Sequence, residues 1–224
     1  MTPIAQFPLA KALARLLVGL LIALAALATA AQAEEVRRLE QGFFVGNATW
    51  LELDITLGSV RVEGTTDSRE IEVEMIVTCG NQDVDRCRRK AQRLRLVTRA
   101  DGDTLAVRVK GTPRGKLYGL DAEMVVRAPR NLALEIDLAG GDVFVEKMIS
   151  HLEIDSAGGD VDVVFAQDRV RNVNVDVGVG KAELWLRDSR IEGRGFPRSI
   201  DWTGSGVAEI EIDLGGGDAR VRLD

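Results

Sequence analysis

The sequence predicts an all-β fold, a stacked β-solenoid or β-roll built from units of about 18–21 residues with one short helical insert. Three observations predict it. The pattern Leu51-Glu-Leu-Asp-Ile-Thr-Leu-Gly-Ser-Val-Arg-Val62 recurs closely at Leu134–Val145 and Leu152–Val163, with looser copies at Val173–Leu184 and Ile210–Val221. Inside each copy, as in Leu134, Ile136 and Leu138 against Glu135 and Asp137, apolar and polar residues alternate with the period of a half-buried strand. Asp137, Asp155 and Asp176 recur at spacings short enough for one rung of a solenoid. A Gly-Gly pair such as Gly140-Gly141 permits a sharp reversal between the two strands of a unit. One unit cannot bury its apolar side alone, so copies must stack. An antiparallel meander would show the same strands but gives no reason for near-identical units.

The elements follow in chain order. Residues 1–33 read as a secretory signal: Lys11 and Arg15 precede the apolar run Leu16–Ala28, and Ala31-Gln32-Ala33 is a small-residue cleavage pattern. Cleavage is expected between Ala33 and Glu34. The run to Ala33 falls short of the ~20 residues that cross a bilayer, so no stable membrane span is expected after signal removal. Residues 34–224 are expected to form a single domain, periplasmic or secreted. After the first unit, Val84, Cys87, Ala91 and Leu94 share one face of a short helix, an insert at about 83–93 with Asp83 as N-cap. Asp101-Gly102-Asp103 then marks a hairpin between Leu94–Arg99 and Leu105–Lys110. Gly111–Gly119 reads as a loop, Ala122–Ala128 as a strand, and Arg187–Ser199 as a late loop before the last unit. Gly204-Ser205-Gly206 reads as a turn. The final strand, Ala219–Leu223, reads as an open edge that Arg220 and Arg222 protect from unwanted pairing.

Charge and cysteine usage narrow the function. The full chain carries −6 and the signal contains Lys11 and Arg15, so residues 34–224 carry −8, which argues against nucleic-acid binding. A basic middle, Cys79–Arg130, lies between two acidic flanks. Its run Arg86, Arg88, Arg89, Lys90, Arg93, Arg95 and Arg99 is rich in guanidinium groups suited to phosphates and carboxylates. Arg86, Arg88, Arg89 and Arg93 are therefore candidate anion-binding residues. The competing reading packs this helix against the chain's own acidic solenoid. Cys79 and Cys87, the only cysteines, are expected to form a structural disulfide in an exported chain.

The tandem units Leu134–Val145 and Leu152–Val163, the earlier Leu51–Val62, and the entry Val125-Val-Arg-Ala-Pro129 resemble the bacterial putative-adhesin family, the toastrack or head-GIN type of β-solenoid domain, whose function is unknown. The likeness spans about Trp50 to Asp224. It implies an extracytoplasmic, largely β-helical domain with a binding, adhesive or envelope-sensing role, and it carries over no catalytic residues. The basic insert with its two cysteines departs from the commoner form.

Chemistry-bearing motifs are scarce. His151, the single histidine, lies between two units and reads as a surface residue at a corner, and no Gly-x-Ser-x-Gly elbow is present. Zinc would want more His or Cys, so no metal, cofactor or catalytic residue is assigned. In-register stacking puts Asp137, Asp155 and Asp176 in one outer row and Asp142 and Asp160, continued by Lys181, in a second. Ca²⁺ accepts such oxygens, but Gly140-Gly141-Asp142 lacks the second glycine and nine-residue period of Ca²⁺-binding rolls. A solvated face is the favoured reading. Phe144 and Trp185 point outward and are expected to lie under the helical insert. The expected function is a non-catalytic exported envelope protein, an adhesin-like module that binds an unidentified protein, lipid or glycan. The alternatives are a carbohydrate-active β-helix enzyme using the acidic rows with Trp185, and an envelope-stress sensor or regulatory partner.

Overall fold

Each repeat folds as two short strands that meet at a glycine corner, and the copies stack in register into two parallel ladders. This is a computed structural model that describes residues 34–224 apart from 57, 67–68, 81–82 and 113–118; the expected signal lies outside the described residues. The chain runs through β1 (Glu34–Phe44), β2 (Trp50–Ile55), β3 (Ser59–Thr65), β4 (Glu70–Cys79) and helix α1 (Val84–Ala91). Then follow β5 (Arg95–Asp101), β6 (Thr104–Lys110), β7 (Leu120–Pro129), β8 (Ala133–Leu138), β9 (Val143–Glu146), β10 (Leu152–Ser156) and β11 (Val161–Phe165). The last four are β12 (Val170–Trp185), β13 (Arg190–Glu192), β14 (Arg198–Thr203) and β15 (Ala208–Leu223).

The first ladder runs β6-β2-β8-β10-β15-β12, all parallel, with β5 and β14 added antiparallel at its two edges. The second runs β7-β3-β9-β11-β15-β12, capped by β4 and β1 at one edge and β13 at the other. The long strands β12 and β15 bend at Gly178–Gly180 and Gly215–Gly217 and so belong to both ladders. Repeat aligns with repeat: Leu134, Leu152 and Ile210 are direct neighbours, as are Val143 and Val161. This register follows from side-chain alternation, since a slip of one residue would turn every Leu and Ile outward. Leu51, Leu53, Ile136, Ile154 and Ile212 of the first ladder and Val62, Val145, Val163 and Val221 of the second are buried in one common core. Burying each such side chain contributes about 1.5–3 kcal/mol.

Two columns hold the corner together. Gly58, Gly141, Gly159, Gly217 and Gly180 take positive φ, and a Cβ on Gly159 would strike the carbonyl oxygen of Gly141 on the rung beside it. Next to the glycines runs a ladder of side chain to backbone bonds. The Asp142 N–H donates to Ser59 Oγ (3.3 Å), Asp160 N–H to Asp142 Oδ1 (2.9 Å), Asp218 N–H to Asp160 Oδ1 (3.0 Å) and Lys181 N–H to Asp218 Oδ1 (3.1 Å). Each aspartate thus satisfies a backbone donor that the turn leaves without a strand partner.

Rung order in space differs from order in sequence. β15, last in the chain, inserts between β10/β11 and β12. The Asp137, Asp155, Asp176 row is therefore interrupted by Asp213, and Asp218 stands between Asp160 and Lys181. For the same reason Ala219–Leu223 is an interior strand rather than an edge, paired on both sides to β11 and β12. Strand β1, which lies outside the repeat pattern, closes one edge by pairing with β4 from Glu34 to Phe44. The expected hairpin is present as β5–β6 with Gly102 in its turn.

Candidate functional site

The outer face of the first ladder is a field of carboxylates. Its two columns follow from the Glu-x-Asp spacing of the repeats, which sends both acids outward from β2, β8, β10 and β15. One column reads Arg108, Asp54, Asp137, Asp155, Asp213, Asp176, Ser199, and the other Ala106, Glu52, Glu135, Glu153, Glu211, Asn174, Asp201. Adjacent rungs of a sheet stand about 4.8 Å apart, so like charges repel along each column.

One end of the field is compensated by a cation; its centre and its far end are not. Arg108 binds Glu52 at 2.6 Å and approaches Asp54 at 3.5 Å, while the Ser199 hydroxyl donates to Asp176. Among the described residues, Glu135, Asp137, Glu153, Asp155, Glu211 and Asp213 form no ion pair. Partial burial, followed by the carboxylates beside them, raises the pKa of Glu135, Asp137 and Asp213 above the ordinary range. At one margin His151 stacks with Trp50, ring centroids 6.5 Å apart, and its Nδ1 lies 3.7 Å from Glu209.

The second ladder has the opposite character. Arg220 reaches Asp162 (3.6 Å), Asp218 (3.1 Å) and Glu183 (4.0 Å), and Arg222 reaches Asp162 (3.5 Å). Lys147 and Arg127 share Glu63, and the Lys147 hydrogen bond, ahead of the other charges, holds that carboxyl below its ordinary range. Phe144 lies under the Arg61 guanidinium, 4.2 Å from its ring centre, and Trp185 under Arg190 at 4.4 Å. These arginines occupy the aromatic faces expected to lie beneath the insert. Helix α1 packs instead on β1, β4 and β7, because its apolar stripe of Cys87 and Ala91 meets the cap end of the solenoid. Trp185 also belongs to the second ladder, so it and the acidic columns do not line one groove.

Helix α1 is held at both ends. The Asp83 carboxylate accepts the Arg86 N–H at 3.3 Å, and Arg37 Nη1 donates to the Ala91 carbonyl at 3.0 Å. Cys79 and Cys87 stand at disulfide distance, with Cα atoms 6.0 Å apart. Arg86, Arg88, Arg89 and Arg93 are exposed, and Arg86 pairs with Asp83 at 3.2 Å. Helical spacing puts Arg86, Arg89 and Arg93 on one side and Arg88 on another. Among the described residues no group of three or more His, Cys, Asp or Glu is gathered for a metal ion, and no helix is long and apolar enough to cross a membrane.

The fold so described is a parallel β-solenoid with antiparallel caps and one short helix, the class expected from the repeats. No protein-family model and no curated protein matches the sequence. Among solved structures the chain is similar to a putative cell adhesion protein from Clostridium sporogenes. The TM-score is 0.51 at 12% identity, over 84% of this chain and 100% of that one, a likeness of fold. A putative adhesin from Bacteroides fragilis matches 84% of this chain and 97% of its own at 10% identity, TM-score 0.34. A putative lipid binding protein from Parabacteroides distasonis matches 84% of this chain and 94% of its own at 10% identity, TM-score 0.25. The C. sporogenes structure agrees in fold with the β-solenoid expected from the repeats.

Proposed function

We propose that this chain is an exported, non-catalytic interaction module of the cell envelope, and that it meets a cationic partner through the carboxylate face of its first ladder. The observation that carries this reading is the contrast between the two ladders. The same repeats that set Arg beside Asp and Glu on the second ladder leave seven carboxylates, Glu135, Asp137, Glu153, Asp155, Asp176, Glu211 and Asp213, without an ion pair among the described residues on the first. Like charges directly opposite one another destabilise a sheet by some 0.2–1 kcal/mol per pair. A face held at that cost fits a complementary positive surface, which gains affinity and association rate from it. The adhesion-type fold neighbour from C. sporogenes supports a binding role, and export rests on the signal pattern ending at Ala33.

A second reading puts the contact on the basic insert, where the exposed Arg89 and Arg93 stand ready for a phosphate or carboxylate. One experiment separates the two. Full-length protein is expressed in a bacterial host, its processed terminus is read by mass spectrometry, and its retention by isolated envelopes is measured at low and moderate salt. The expected result is a chain beginning at Glu34 whose salt-sensitive retention is lost in Asp137→Asn/Asp155→Asn/Asp213→Asn and kept in Arg86→Gln/Arg89→Gln/Arg93→Gln. Loss only in the arginine variant moves the contact to the insert, and an unprocessed cytosolic chain refutes the export reading.

A further inference from the structure

The last rung ends in a pocket that the repeat pattern does not require. Strand β14 pairs with β12 only as far as Val177, and β13 resumes the pairing at Glu183. The bend between them, Gly178–Lys181, therefore has no antiparallel partner, and the link from Gly193 to Arg198 swings around it. The result is an open cavity of about 240 Å³ lined by Lys181, Glu183, Arg190, Glu192, Gly193 and Arg198, with Ala182 behind them. It is smaller than the ~300–1,000 Å³ of sites for drug-sized ligands, a size for one small molecule or terminal group.

The acids of this pocket are already occupied. Glu183, with 11% of its side chain exposed, is bound by Arg190 at 2.5 Å, approached by Arg220 at 4.0 Å and hydrogen bonded by the Trp185 indole N–H at 3.3 Å. Glu192 is bound by Arg190 at 3.1 Å. Lys181 Nζ and the Arg198 guanidinium, by contrast, form no ion pair or side-chain hydrogen bond with any described residue. Two cations without an ion pair thus line a cavity whose two carboxylates share Arg190.

The sequence reaches the same place independently. On the inner rungs the position of Lys181 is Ser59 or an aspartate, Asp142, Asp160 or Asp218, and each accepts the backbone N–H of the next rung. Among the described residues no further parallel rung follows β12, so the ladder of side chain to backbone bonds ends there. The structural reason for aspartate ends at this rung, and the residue changes to a lysine whose side chain serves no backbone group.

We propose that this end pocket binds the carboxylate or phosphate group of a small ligand, held between Lys181 and Arg198. A flexible ammonium and a planar guanidinium facing one cavity suit a tetrahedral or planar oxyanion, with charge-assisted bonds to both. The pocket is separate from the carboxylate face and the insert, so its test stands or fails apart from the envelope experiment.

The test is an NMR titration of protein produced from the full chain, using inorganic phosphate, glucuronate and uncharged glucose as probes and following the Ala182 and Gly193 amides. Saturable shifts with phosphate, glucuronate or both, and none with glucose, are expected. The charged probe that responds identifies the anionic group. Lys181→Asp, which installs the residue of the inner rungs, and Arg198→Gln are each expected to weaken binding about tenfold or more while circular dichroism is unchanged. Arg89→Gln, on the distant helix, is expected to bind normally. Absence of saturation by either anion up to about 10 mM, or equal binding by Lys181→Asp and Arg198→Gln, overturns the proposal.

Discussion

Gly159 and Gly102 both take positive φ, yet the fold asks different things of them. At Gly102, in the β5–β6 turn, an added Cβ meets nothing within 4 Å, so the demand is conformational alone. At Gly159 the Cβ would collide with the Gly141 carbonyl, a backbone atom locked in the neighbouring rung. Gly102→Ala is therefore expected to cost about 1–2 kcal/mol, and Gly159→Ala on the order of 3 kcal/mol or more, since a whole rung must move. Urea unfolding of the two variants measures the difference, and equal midpoints would show that the corner column yields easily. The Gly-Gly corner was legible in the sequence because it repeats. The reason for it was not, since the collision partner lies on another rung, 18 residues away for the Gly141–Gly159 pair.

At the scale of the strand, alternation told which residues face in and which face out. It could not tell which charges would be neighbours. That depends on rung order, and the insertion of β15 between β10 and β12 brings Asp213 and Glu211 into the field while moving Arg220 beside Asp162. The carboxylate face makes stability depend on pH in a defined direction. Glu135, Asp137 and Asp213 bind protons more tightly in the folded state than in the unfolded chain. Their contribution to stability is present when they are protonated, and it is lost as pH rises from the ordinary carboxylate range through their raised values. Glu63 acts in the opposite sense, its contribution being lost as pH falls below the ordinary range. At low salt the melting temperature is thus expected to rise as pH is lowered from 7 toward about 4.5, then fall on further acidification. Asp137→Asn and Asp213→Asn are expected to stabilise the fold at pH 7 by roughly 0.5–1 kcal/mol each and to flatten the upper limb. A melting temperature that only falls between pH 7 and 4.5 would mean that the carboxylates are screened from one another.

For the whole molecule, the place of β15 alters how the repeats share stability. In a simple solenoid each unit contacts its sequence neighbours, and removing the last unit merely shortens the stack. Here the last unit holds β12 to the body, because β12 reaches β10 and β11 only through it. Ile210, Ile212, Leu214, Val221 and Leu223 are all buried, and both ladders lose a middle rung without them. The fold then cannot close until residues 208–223 are in place, which favours slow, non-local assembly over rung-by-rung growth. A chain ending at Thr203 retains the near-identical units of residues 134–145 and 152–163 together with both cap regions. It is nonetheless expected to leave β12, β13 and β14 open to protease, while β2, β8 and β10 stay paired at reduced stability. Limited proteolysis with mass spectrometry on the truncated and full chains reads this directly. Protection of residues 170–203 in the truncated chain would mean that β12 can dock on β10 and β11 unaided, and that the inserted rung is an addition to a stack already complete.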